Sequence, residues 1–101
     1  MQGFPSPQLN VNVPVGTIVL YPDFSAEPSR QINIEAWGWM ICDGRTSDIH
    51  LYPELYAVIV ATYNKPGDDG GSFRLPDLGV QQINNLPFRY LIKFTYGNIF
   101  R

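Results

Sequence analysis

Cysteine and histidine are nearly missing from this sequence. Cys42 and His50 are the only ones in 101 residues. A lone cysteine forms no intrachain disulfide, which excludes a disulfide-stapled secreted miniprotein and is compatible with folding in a bacterial cytoplasm. Positive charge is also scarce. Seven Lys and Arg stand against nine Asp and Glu, for a formal net charge of −2. The basic residues are scattered, with no basic run and no basic–aromatic interleaving, so no nucleic-acid partner is expected. No stretch approaches the roughly 20 apolar residues of a membrane span, so membrane insertion is not expected. Met1 is not followed by a basic segment and an apolar run, so no signal peptide is expected. Work outside a cell would then be reached as part of a particle released by lysis.

What is present points to a β-rich fold. Gly and Pro number nine each, aromatics make up 14% and apolar residues 45%. That suits short elements joined by tight turns around a packed core, and suits long helices badly. The length fits one domain. We expect an extended N-terminal arm over 1–14 and a single domain over 15–101. In the arm, Pro5 and Pro7 precede Leu9, Val11 and Val13, which alternate with Asn10 and Asn12 as a strand edge would. Such an arm either reaches a neighbouring subunit or frays.

Thr17 to Tyr21 reads as a buried strand, stopped by Pro22-Asp23. Residues 23–35 read as a long loop, with Ile32 and Ile34 hinting at an edge strand. Trp37 to Cys42 reads as a second strand, with Trp37, Trp39 and Ile41 on one face and Met40 and Cys42 on the other. Asp43-Gly44 is a turn signature. Pro53 to Tyr63 is the one credible helix. Pro53 suits the first helical position, Glu54 the positive end, and Asn64 a left-handed close before Pro66-Gly67. Leu55, Ile59 and Thr62 form its stripe, with Tyr52, Tyr56 and Tyr63 beside it. Val58 and Val60 are weak helix formers, so packing must support it. Ser72 to Leu75 is a short strand, residues 79–88 read as polar and irregular, and Arg89 to Tyr96 as the last strand.

Five blocks, in order, resemble the phage tail collar domain. They are Val15-Gly16-Thr17-Ile18-Val19-Leu20-Tyr21, then Trp39-Met40-Ile41-Cys42-Asp43-Gly44-Arg45, then Tyr52-Pro53-Glu54-Leu55-Tyr56-Ala57-Val58-Ile59 as far as Thr62-Tyr63. Phe73-Arg74-Leu75-Pro76-Asp77-Leu78 and Tyr90-Leu91-Ile92-Lys93-Phe94 complete the set. The resemblance implies structural jobs for Gly16, Trp39, Cys42, Asp43, Gly44, Tyr52, Pro53, Leu55, Leu75, Pro76, Asp77 and Leu78, and no catalytic one. Trp39 would fill the core. Leu75 and Leu78 would both be buried, with Pro76 fixing the path between them. The family's usual basic continuation is replaced here by Gly79-Val80-Gln81-Gln82. The variable head that many members carry before the closing strand has only about ten residues here, so the resemblance implies a collar core without the usual receptor-reading insert.

Sharper chemistry finds little support. Cys42 with His50 and Asp43 would need a thiolate-favouring setting, whereas Cys42 ends an apolar strand. His50 gives one ligand where zinc takes about four. Asp68 and Asp69, between Gly67 and Gly71, fit no calcium-loop spacing. Asp43 and Asp77 sit in turn signatures, which explains them without acid–base work. The aromatics fall mostly on strand and helix stripes, which favours core and interface over a sugar platform.

The expectation is a small α+β fold: a twisted, mainly antiparallel sheet with one helix of about three turns and long loops. We expect no enzyme, no metal and no cofactor. The resemblance implies a structural and adhesive component of a phage tail or phage-derived contractile injection particle. It implies a homo-oligomer, a trimer first. It implies other tail or baseplate proteins as partners, and a host-surface glycan as a possible contact. The rival is a small lectin-like carbohydrate-binding module.

Overall fold

A computed structural model describes residues 13–23 and 33–95. Residues 1–12 of the expected arm over 1–14, most of the 23–35 loop with Ile32 in it, and Tyr96 lie outside the described residues. The elements run β1 (Ile18–Pro22), a 3-10 turn (Ile34–Trp37), β2 (Trp39–Ile41), β3 (Thr46–Asp48), α1 (Pro53–Ile59), β4 (Ser72–Arg74), β5 (Val80–Ile83) and β6 (Leu86–Lys93). This is an antiparallel α+β fold with one short α-helix among the described residues.

Strand β6 is the spine. Its C-terminal half lies between β1 and β2, with Ile92 opposite both Ile18 and Met40. Its N-terminal half pairs with β5, where Ile83 faces Leu86. Asn84 and Asn85 make the connection, with φ of 53° and 65°. Two successive left-handed residues form the type I′ turn whose twist suits a two-residue hairpin, and Asn tolerates that conformation. The segment expected to be irregular is therefore a hairpin. A second, two-stranded sheet pairs β3 with β4, Ser47 facing Phe73.

One face of the main sheet carries the core: Val15, Met40, Cys42, Leu55, Phe73, Leu75 and Ile92, each at most 4% exposed. Helix α1 packs on this core through Leu55. Tyr52 meets Phe94 edge-on, and Tyr56 tilts against Phe73, both at 5.4 Å between ring centroids. The Thr95 hydroxyl donates to the Glu54 carboxylate, tying the end of β6 to the start of the helix.

Several sequence expectations are corrected. The helix is shorter by a turn. Val60 N–H makes the last helical bond, to Tyr56 O at 2.8 Å, but Val60 itself has φ 51° and ψ −131°. That is costly for a β-branched residue, and it throws Thr62 and Tyr63 off the helix into exposed turns. Asn64 does not close the helix. Its side chain accepts from the Arg74 amide instead. Trp37 belongs to the 3-10 turn and is 63% exposed. Ile34 opens that turn and is not an edge strand. Trp39 is half-buried, and the buried face of β2 is that of Met40 and Cys42. Strand β1 is not fully buried, because it is a sheet edge with Ile18 and Leu20 still 39% and 36% exposed. Of the Leu-Pro-Asp-Leu block, Leu75 and Pro76 are buried while Leu78 is 44% exposed.

Candidate functional site

Two of the motif blocks meet at one junction. Asp43 and Asp77 form an isolated antiparallel bridge. Around it Gly44 N donates to Pro76 O at 3.1 Å, Leu75 N to Arg45 O at 2.9 Å, and Leu78 N to Cys42 O at 3.1 Å. The glycine is required twice. Its φ is +80°, and a Cβ there would stand 3.0 Å from the Asp77 Cβ. The two chain segments therefore touch backbone to backbone, with the side chains of Cys42, Leu75 and Pro76 turned into the core.

Arg74 clamps the junction from outside. Its guanidinium gives Nε and Nη2 to the two Asp68 oxygens at 3.0 and 2.7 Å, and Nη1 to Gly44 O at 2.9 Å. Fork-shaped pairing of this kind fixes direction as well as distance. The Arg74 hydrogen bonds, helped by the Lys65 amide, hold the Asp68 pKa down at about 2. Partial burial works against the Asp43 carboxylate, but the Arg45 guanidinium and amide that donate to it prevail and lower its pKa. Arg45 also reaches Glu35 at 3.4 Å.

These partners bear on the chemical questions raised by the sequence. Cys42 is 1% exposed, and burial first, then the Asp43 charge, pushes its pKa up to about 11. It is a protonated thiol at neutral pH, and thiols react as thiolates. His50 sits in an exposed turn, its amide held by Asp48. Asp69 accepts from the Gly71 amide, so Asp68 and Asp69 both close their own turn. Among the described residues no three His, Cys, Asp or Glu side chains gather to hold a metal ion.

The other expected structural residues lie elsewhere on the frame. Gly16, at φ +95°, lies where a Cβ would meet Val58 Cγ1 at 2.8 Å, so the turn before β1 rests directly on α1. Pro53 begins the helix and Tyr52 precedes it as cap. Trp39 stacks under Lys93, whose Nζ lies 5.4 Å from the ring centroid and donates to Trp37 O at 3.3 Å. Burial lowers the Lys93 pKa.

Beyond the junction lies an apolar flank that the sequence reading missed. Residues opposite one another in a sheet share a face, and so do alternate residues along a strand. Ile18, Leu20, Ile83 and Leu86 therefore line the same face as Tyr90 and Ile92, the core face. Past the edge of α1 that face is uncovered: Ile83 is 38% and Leu86 60% exposed. With Ile18 and Leu20 they form a strip from β1 to the hairpin tip. The period-two spacing of Ile83, Leu86 and Phe88 across an Asn-Asn turn was the available signal, hidden by Gln81, Gln82 and Pro87.

The sequence model of one family, the Phage Tail Collar Domain, matches residues 16–82, about two thirds of the chain. The chain is also similar to Protein RhiB of Rhizobium leguminosarum bv. viciae, with 47% identity over 45 residues. That match covers 44% of this chain and 20% of RhiB, so the chain spans about a fifth of that relative's length. No solved structure matches. No helix among the described residues is long and apolar enough to cross a membrane.

Proposed function

The chain belongs to the phage tail collar domain family, and from that premise we propose that it is a structural and adhesive component of a phage tail or phage-derived contractile injection particle, working by assembly and contact without turnover. The observation that carries this reading is the apolar flank on a pinned frame. Ile18, Leu20, Ile83 and Leu86 extend the core face into solvent, while the junction and the Arg74 clamp hold the frame beneath them. An exposed, contiguous apolar strip of this kind suits a protein–protein interface.

The hairpin bears on the second half of the reading. Where many family members insert a receptor-reading head, β5 passes to β6 through two residues. A domain trimmed in this way fits a scaffolding, capping or baseplate position better than a host-reading tip. The absence of catalytic work is consistent with a protonated Cys42 and a charge-paired Asp43. We take a homotrimer as the assembly, the symmetry common in tail fibres and spikes. Single domain over 15–101 with a preceding arm is part of the same proposal. The aromatics support contact over sugar binding, since Tyr52, Tyr56, Phe73, Tyr90 and Phe94 are spent in or against the core.

Light scattering on the purified protein tests the reading. A stable trimer is the expected mass. A monomer persisting to high concentration would remove the assembly role and leave the fold.

A further inference from the structure

Strand β1 has an open edge. One side bonds to β6, and among the described residues nothing pairs with the other. The register states which groups lie there. Thr17 O accepts from Lys93 N at 2.9 Å, and Asp23 N donates to Pro87 O at 3.0 Å. The odd positions therefore turn their peptide groups toward β6, and Ile18, Leu20 and Pro22 turn theirs outward. Pro22 brings no N–H, as suits an edge position. The side chains on this edge are two-faced. Ile18 and Leu20 sit on the exposed apolar flank, and Val19 and Tyr21 are half-buried on the other side. Edges are commonly blunted by charge, and β1 carries no charged residue.

The sequence holds a segment of matching pattern. Residues 9–13 read Leu-Asn-Val-Asn-Val, apolar and polar in strict alternation. The turn that follows them is not one that closes a tight hairpin onto β1. Thr17 N donates to Pro14 O at 3.1 Å, and Gly16 at φ +95° is the residue of positive φ between them. That is a type II turn, which splays flanking strands instead of closing a two-residue hairpin. Accordingly Val13 lies outside any strand.

We propose that the open edge of β1 takes an added strand from a second copy of this chain, namely its residues 9–13. Leu9, Val11 and Val13 cover the Ile18 and Leu20 side, and Asn10 and Asn12 face the other way. Main-chain bonds to Ile18, Leu20 and Pro22 supply the pairing, and the apolar alternation fixes the register. The proposal rests on the assembly reading above and names the surface that serves it.

The test uses cysteine pairs in the full chain. Val11 and Leu20 are the central residues of the two five-residue segments, so they meet whichever way the added strand runs. Residues paired across a sheet lie within disulfide reach. An affinity-tagged Val11→Cys protein is mixed with an untagged Leu20→Cys protein and oxidised gently, and tagged material is recovered. The buried Cys42 stays silent. The expected product is a mixed disulfide dimer, lost when Asn12→Cys replaces Val11→Cys because that side chain points to the opposite face. A light-scattering oligomer that yields no mixed dimer overturns this edge assignment and leaves the assembly reading standing. A wild-type monomer overturns both. A Val11→Cys/Leu20→Cys double variant that closes its disulfide within a monomer places the segment on its own edge and overturns the second-copy claim.

Discussion

The two ends of strand β6 differ more than any two strands of the sheet. On the core face Ile92 is fully buried, whereas Leu86, on the same face of the same strand, stands in solvent. The same extended backbone runs through both, and both are hydrogen-bonded into the sheet. The difference comes from what lies on the face. At one end α1, Phe73 and Leu75 close over Ile92. At the other, nothing among the described residues covers Ile83 and Leu86. Hydrogen bonding makes a strand, but only a second layer makes a core. The bare end is therefore where contact chemistry remains available.

Truncation at the two ends separates these roles. Phe73→Ala in the covered end is expected to cost about 3–5 kcal/mol in urea unfolding, because the cavity cannot collapse under α1. Leu86→Ser on the bare end is expected to stay within about 0.5 kcal/mol in the dilute monomer while lowering the mass seen by light scattering at high concentration. Equal losses of stability at both positions would break the comparison.

Gly44→Ala probes the junction that braces the covered end. Left-handed φ and the short approach to Asp77 act together, and a loss of about 1–3 kcal/mol is expected. Gly67 is also left-handed, at φ +91°, but a Cβ there would meet no atom within 4 Å. Gly67→Ala should lose less, which isolates the contact from the backbone strain.

The smallest effect is a pH dependence. Asp68 has its pKa lowered to about 2 in the folded chain by Arg74. The unfolded carboxyl titrates near its usual value of about 3.9. The pair's contribution is therefore present above pH ~4 and is lost as pH falls toward ~2. Thermal unfolding followed across that window should show a steeper loss for the wild type than for Asp68→Asn. Identical slopes would show that the Arg74 clamp adds nothing.

Much of the covered end was legible in the sequence. Pro53 and Glu54 announced the helix start, Asp43-Gly44 announced its turn, and Met40 and Cys42 alternated with Trp39 and Ile41. Each of these signals is local. Steric limits and period-two geometry act on adjacent residues, whatever the rest of the chain does. The helix end was misread because Val60, between the last helical residue Ile59 and the turn over 61–63, takes a conformation that its own side chain disfavours. Strand β3 went unread because Thr46, Ser47 and Asp48 carry no apolar alternation, and only pairing with β4 makes them a strand.

The sequence by itself determined the motif order, the helix start and the sharp turn at Gly44. Tertiary structure alone decided that Met40, and not Trp39, would face the core. It also decided that Arg74 would reach Asp68 and a carbonyl 30 positions away, and that Ile83 and Leu86 would be left bare. The reason is physical. Alternation states that a strand has two faces, but burial is a property of the layer that arrives from elsewhere in the chain, and no local pattern records which face that layer will cover.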